Sequence, residues 1–234
     1  MLEVKNISAY YGDAQALEDV SLTLPAHGVT AFLGPNAAGK STTLRVVSGL
    51  IPAATGSILL EGQDITRTSP QERVAMGIVH VPEGRRLFNT MTVEDNLILG
   101  GYTKRKDRKT AARLEQIYGH FPKLAERRNQ EAGLMSGGEQ QMCAVGRGMM
   151  AAPKVLMIDE MSLGLAPVIV TQMFQIIKGI AATGMSVLLV EQHVKNALEV
   201  ADFGTIIDGG ITRASGTAAE LRESDVVRES YLGH

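Results

Sequence analysis

The sequence predicts an α/β domain built on a mainly parallel sheet, and three observations carry that prediction. Short apolar runs at 29–33, 154–158 and 186–190 have the length and composition of strands buried on both faces. A turn of small residues follows the first run and leads into a helix, and strands alternate with helices from Lys154 onward. In chain order, strand-like segments at 2–7, 21–24, 29–33 and 57–60 surround that turn, with an N-terminal antiparallel β element among them. From about 84 to 152 the spacing becomes helical, with Arg113, Leu114, Ile117 and Phe121 and later Met142, Val145 and Met149; this stretch reads as an inserted helical subdomain. A strand at 154–158, an amphipathic helix at 168–180, a strand at 186–190, a helix at 194–201 and a short strand at 205–207 follow. No internal repeat or low-complexity linker divides residues 1–234, so one domain is expected.

Composition sets the outer bounds. A chain of 234 residues with 44% apolar content can bury a sizeable core. A net charge of −2 gives no reason to expect a nucleic-acid partner, and a single cysteine with no secretory leader fits a reducing cytosol. No apolar run is long enough to span a bilayer. The basic cluster Lys104, Arg105, Lys106, Arg108 and Lys109 has no interleaved aromatics for base stacking and reads as a solvated loop or helix start. Cys143 falls on a helix where a small buried thiol is expected.

The turn itself, Gly34-Pro35-Asn36-Ala37-Ala38-Gly39-Lys40-Ser41, fits the phosphate-loop pattern G-x-x-x-x-G-K-S/T. Its small residues let backbone N–H groups curl around phosphate oxygens, and a helix opens at Gly39 with the positive end of its dipole toward the anion. Lys40 is placed to reach the terminal phosphates and Ser41 to offer its hydroxyl to Mg²⁺. The helix continues through Thr42, Thr43, Leu44 and Val47 and stops at Ser48-Gly49. The pattern resembles that of P-loop NTPases, which implies a RecA-like core.

The run 154–158 ends in two adjacent carboxylates that can do different work. Asp159 can hold Mg²⁺ through its water shell, and Glu160 can orient or deprotonate the attacking water. Between the two motifs lies another helix start. Ser136 caps it, Gly137 and Gly138 permit close backbone approach, and the first N–H groups with the helix dipole make a second anion site. A phosphate-loop enzyme with one self-contained site has no need of that turn.

Taken together, the phosphate loop, the Asp159-Glu160 pair and Met135-Ser136-Gly137-Gly138-Glu139-Gln140 resemble the ATPase subunits of ABC transporters over residues 2–221. The resemblance implies an ATP- and Mg²⁺-dependent ATPase that works as a dimer of such domains. In that family the signature turn, here Ser136, Gly137, Gly138 and Glu139, binds the γ-phosphate of ATP held by the opposite subunit. Tyr11, ahead of Gly12, matches the aromatic residue on which adenine stacks, a contact that tolerates any base. Val81-Pro82-Glu83 sits where the family has its Q-loop, with Glu83 in place of Gln; a carboxylate can still ligate Mg²⁺. Counting back from Ala201-Asp202 puts Gln192 at the family's γ-phosphate switch and His193 one place late; either can hydrogen-bond the phosphate, and Gln192 fits the spacing better. The D-loop departs from the family with Met161 for Pro and Ala166 for Asp, which puts communication between two sites in doubt. Ala37 stands where Gly is usual, and a positive φ there costs Ala more than Gly.

Several departures share a direction. Val81-Pro82-Glu83-Gly84-Arg85-Arg86-Leu87-Phe88, Met91-Thr92-Val93-Glu94-Asp95-Asn96-Leu97, the Glu139 variant of the signature, Ser162-Leu163-Gly164-Leu165-Ala166-Pro167 and Val190-Glu191-Gln192 resemble the LivF-type ATPase of branched-chain amino acid importers. That resemblance implies transmembrane permease subunits docked on the helical subdomain near Glu83, and a second ABC ATPase that is a paralogue. It also implies an indirect link to a periplasmic or extracellular solute-binding protein, and a peripheral place on the cytoplasmic face of the cell membrane. Relatives for urea or amide import and for lipopolysaccharide export share the framework but typically keep Gln at the position of Glu83. Soluble ABC ATPases of DNA repair or translation carry coiled-coil or zinc insertions or tandem ATPase domains, and none is legible here.

Overall fold

The computed structural model describes residues 1–104, 106–224 and 227, so Arg105 of the basic cluster lies outside the described residues. Strands β1 (Leu2–Tyr11) and β2 (Ala14–Leu24) form an antiparallel hairpin. With β4 (Thr55–Leu60) and the short β5 (Gln63–Asp64) they make a four-stranded sheet ordered β2-β1-β4-β5. Both hairpin strands run longer than their alternation predicts. Register shifts between Val4 and Ile7 and between Ile7 and Ala9 bulge β1, so the period of two is lost while the pairing continues.

The second sheet has six strands. They are β3 (Gly28–Leu33), β6 (Ile78–Val81), β7 (Val155–Asp159), β8 (Ser186–Glu191), β9 (Phe203–Asp208) and β10 (Ile211–Thr217), in the order β10-β9-β3-β8-β7-β6. All neighbours pair in parallel except β10 on β9, so the sheet is mixed and mainly parallel as expected. Its central strands explain their apolar runs. Along β7, Leu156 and Ile158 enter one core while Val155 and Met157 enter the other; β8 divides Val187 and Leu189 from Leu188 and Val190 in the same way. Each such fully buried aliphatic side chain stabilises the fold by about 1.5–3 kcal/mol.

Helix α1 (Lys40–Val47) lies between the two sheets, where Leu44, Val46 and Val47 pack with Leu2, Leu17 and Phe32. The sequence pattern did not single out α2 (Pro70–Met76), which starts at a Ser69–Glu72 capping box and explains how α1 ends. Its Arg73 is buried and donates to the carbonyls of Val46 at 2.7 Å and Val47 at 2.8 Å, satisfying acceptors at the negative end of the α1 dipole.

Between β6 and β7 come α3 (Val93–Gly100), α4 (Thr110–His120), α5 (Pro122–Glu126) and α6 (Gly137–Met149). These helices share one continuous apolar cluster with the sheet face beneath them. Close approach of α6 depends on Gly148, where a Cβ would meet Val81 at 2.7 Å and Leu156 at 3.1 Å. Helices α7 (Pro167–Ala182), α8 (Val194–Val200) and α9 (Ala218–Glu223) complete the layer. Among the described residues, no helix is long and apolar enough to cross a membrane.

Candidate active site

Parallel register brings three strand ends level. Leu33 of β3 lies beside Glu191 of β8, and Val190 beside Asp159 of β7, so the turns after β3, β7 and β8 open on one rim. In open α/β sheets that rim, beyond the carboxyl ends of the strands, is where ligands bind. The phosphate loop, the two carboxylates and the Gln192-His193 pair all lie there.

The turn after β3 has the predicted form. Gly34 is required by packing, since a Cβ would lie 2.1 Å from the Ile207 carbonyl. Ala37 does adopt φ 63°, the conformation in which Ala is disfavoured. Gly39 caps α1 in the left-handed region, so the first helical residue is Lys40. The Lys40 ammonium is 3% exposed and donates to the carbonyls of Gly34 at 2.9 Å and Pro35 at 2.8 Å. It also pairs with Glu160 Oε1 at 3.1 Å. Glu160 itself has φ 44°, and its N–H donates to the Val190 carbonyl at 2.9 Å. A non-glycine residue in that region costs roughly 1–3 kcal/mol and is held there by its surroundings.

Ser41 Oγ donates to Asp159 Oδ1 at 3.2 Å, joining the first helix to the end of β7. Burial, reinforced by the nearby Glu160 and Glu83 carboxylates, pushes Asp159 up to about 6 against the opposing Ser41 hydrogen bond and Lys40 charge. A carboxylate made reluctant to ionise by burial and then by its acidic neighbours, beside a hydroxyl, is a donor set short of positive charge. It fits a hard cation that takes its remaining ligands from phosphate and water. Glu83 acts on Asp159 at a distance: among the described residues, no three Asp, Glu, His or Cys side chains gather closely enough to form a metal cage. The residues therefore fit Mg²⁺ shared with a nucleotide rather than a metal held by protein alone.

Glu191 is a feature that motif reasoning passed over. It is fully buried and accepts from Ser162 N–H at 3.2 Å and from Ser162 Oγ–H at 2.6 Å, which ties the switch segment to the loop after Glu160. Burial pushes its carboxyl up to about 7, with the Glu160 charge adding to the shift. A carboxylate at the end of an otherwise apolar strand was the available signal. Next to it, Gln192 is half-buried and His193 is exposed at the start of α8.

Tyr11 lies on the α1 side of the loop. Its hydroxyl accepts from Arg45 Nη1 at 3.0 Å and sits 3.5 Å from Thr42 Oγ1, leaving the residue 46% exposed. At the signature turn, Ser136 accepts from Glu139 N–H while Glu139 Oε2 accepts from Ser136 N–H at 2.9 Å, a reciprocal cap on α6. Arg127 pairs with the same carboxylate at 2.8 Å. Burial opposes ionisation of Glu139, yet the Ser136 bonds and the Arg127 charge hold it below its ordinary range. Among the described residues, no hydrogen bond or ion pair joins Ser136, Gly137, Gly138 or Glu139 to the phosphate loop. Cys143 is buried, and burial pushes its thiol up to about 12, as suits an inert core residue.

The family model described as ABC transporter matches residues 17–162. The chain is 43% identical over 233 residues to the high-affinity branched-chain amino acid transport ATP-binding protein BraG of Pseudomonas aeruginosa, with 100% of both chains covered. It is 34% identical over 234 residues to the probable branched-chain amino acid transport ATP-binding protein LivF of Archaeoglobus fulgidus, covering 100% of this chain and 99% of that one. Among solved structures, the ADP conformation of an ATP-binding cassette of an ABC transporter matches with a TM-score of 0.88 at 28% identity, covering 100% of this chain and 99% of that one.

Proposed function

The chain belongs to the ABC transporter family as one of its ATP-hydrolysing cassettes, and from that membership we propose that it powers an importer of branched-chain amino acids. The observation that carries the chemistry is the meeting of Lys40, Ser41, Asp159 and Glu160 at the ends of adjacent parallel strands. Full-length similarity to BraG supports the solute class.

In this reading, Lys40 holds Glu160 until the phosphates of ATP offer the ammonium a stronger anionic partner. Glu160 is then released to orient the attacking water and accept its proton. The bond from its backbone N–H to the Val190 carbonyl fixes the main chain of Glu160 at the rim. Ser41 and Asp159 would hold Mg²⁺, with the Glu83 carboxylate as the further candidate ligand; bound there, the ion would supply positive charge to the terminal phosphate oxygens. Tyr11 stacks on the adenine, and Gln192 rather than His193 meets the γ-phosphate. Ser136, Gly137, Gly138 and Glu139 serve ATP on a second ATPase, whose own turn completes the site here.

The membrane subunits would dock beside the segment leading to Glu83. A groove of about 510 Å³ there is lined by Val81, Pro82, Phe88, Leu99 and Tyr102 together with Arg86 and Arg147, and it suits an amphipathic helix end from a permease subunit. That placement puts the chain on the cytoplasmic face of the cell membrane, peripherally, with a solute-binding protein only indirectly attached. Glu160→Gln is expected to keep ATP affinity and lose at least about 100-fold in turnover, whereas Lys40→Ala weakens binding itself, as measured by nucleotide titration beside steady-state hydrolysis. Gln192→Ala should cost more turnover than His193→Ala. Near-normal hydrolysis by the Glu160→Gln protein would remove Glu160 from its role.

A further inference from the structure

One polar group beside the cation-facing carboxylate has no partner. His80 lies on β6 opposite Met157 of β7, so Asp159, two residues further along β7, is its diagonal neighbour on the same face. That face looks toward α1, and Ile78, the residue of β6 that shares it, is buried in the apolar core between the sheets. His80 Nε2 is buried, without a hydrogen-bond partner, and 4.0 Å from Asp159 Oδ2, too far to count as a bond. The other oxygen, Oδ1, already accepts from Ser41. Burial, reinforced by the Arg45 charge, lowers the imidazole to about 4, so the contact is not an ion pair. A neutral imidazole aimed at a carboxylate, on a face where an apolar residue would pack as well, is arranged for a second state of that carboxylate. An ionised carboxylate only accepts, so the imidazole must donate.

We propose that His80 is a positioning residue for the cation site, its Nε2–H donating to Asp159 Oδ2 when nucleotide and Mg²⁺ are bound. The proposal rests on the assignment of Asp159 and Ser41 to Mg²⁺. Closing the gap takes about 1 Å of movement to reach hydrogen-bond distance. The bond then fixes the rotation of the carboxylate, as outer partners of metal-binding groups do.

The test is calorimetric titration of Mg²⁺ into the full chain saturated with ADP, alongside ADP binding in EDTA. His80→Leu should weaken Mg²⁺ binding about tenfold, leave ADP affinity in EDTA unchanged, and raise the midpoint of thermal unfolding by removing an unsatisfied nitrogen. His80→Gln, which keeps an N–H donor, should stay within about threefold of the wild type. Asp159→Asn serves as the control for the cation site. Wild-type Mg²⁺ affinity in His80→Leu together with a large loss in Asp159→Asn would overturn the role of His80 alone. Equal losses with and without Mg²⁺ in His80→Leu would also overturn it, by showing a packing effect. Wild-type Mg²⁺ affinity in Asp159→Asn would overturn the cation assignment and the proposal with it.

Discussion

Glu191 shows what a single residue can impose on the pH dependence of the fold. Its carboxyl is raised from an ordinary 4.5 to about 7, chiefly by burial, so the folded chain holds a proton that the unfolded chain has already released between those values. Folding stability from this group is therefore fully present below pH 4.5 and falls as pH rises toward 7, with the whole penalty remaining above it. Asp159, raised from 3.8 to about 6, has the same sign. Glu191→Gln can keep both contacts to Ser162 without the buried charge. The variant should be more stable than the wild type at pH 8 by something on the order of 2 kcal/mol. The gain should vanish near pH 4.5, as read by urea unfolding at a series of pH values. A constant difference across that range would show that Glu191 does not titrate there. The same residue connects Gln192 to the loop after Glu160, so a loss of turnover in the variant without loss of ATP affinity would reveal that the connection positions both.

At the scale of elements, the segment between β6 and α3 is held from outside. Gly84, Arg85 and Arg86 adopt φ 78°, 64° and 50° in succession, an arrangement that two arginines do not favour by themselves. Arg147 of α6 supplies the restraint: its guanidinium donates to the Arg86 carbonyl at 2.7 Å and to the Arg85 carbonyl at 3.0 Å, and lies 5.8 Å from the Phe88 ring centroid. Arg85 in turn donates to Gln140 at 3.1 Å, beside the signature turn. The helix that presents Ser136 thus anchors the strand exit that carries Glu83. Arg147→Met retains aliphatic bulk but loses both donors, and should destabilise the fold by about 1–3 kcal/mol. It should also open the Arg85-Arg86 bonds to trypsin under native conditions. Arg147→Lys should not restore protection, because the guanidinium meets the two carbonyls with two separate nitrogens of a planar fork, a geometry that one ammonium nitrogen does not reproduce. Unchanged melting and digestion in the Met variant would show that the segment holds itself.

At the scale of the whole molecule, the chain carries two half-sites in the proposed reading. Among the described residues, no hydrogen bond joins its signature turn to its own phosphate loop. In that reading, ATP shifts an open–closed equilibrium only through its preference for the closed form, and closure would need a second ATPase with matching surfaces. The proposed partner is a paralogue, as the resemblance to LivF-type importers implies, and Ala166 and Glu83 are where this chain differs from the family's usual inter-site residues. The isolated chain is expected to remain largely monomeric with slow hydrolysis, and to gain activity when joined to the paralogue and two membrane subunits. Light scattering of the Glu160→Gln protein with ATP and Mg²⁺ checks the first expectation, and co-purification from native membranes with identification of attached subunits checks the second. A stable homodimer at low micromolar concentration, with no stimulation of the wild type by the complex, would count against the heteromeric reading.

By itself the sequence determined the chemistry available and the local geometry that displays it. The spacing from Gly34 to Ser41 specifies a strand, a phosphate-binding turn and a helix because all three depend on neighbouring residues, and the apolar run before Asp159 specifies a buried strand ending in carboxylates. Short β6 could not be read, since four residues with His80 among them carry too little periodicity, and bulges in β1 hid its length. Tertiary structure alone decided which groups meet: Ser41 with Asp159, Lys40 with Glu160, Ser162 with Glu191, and His80 aimed at Asp159. Those meetings are set by the strand order β3-β8-β7-β6 and its register. That order is a property of long-range packing, in which residues 118 positions apart meet in one hydrogen bond, and no local pattern along the chain encodes it.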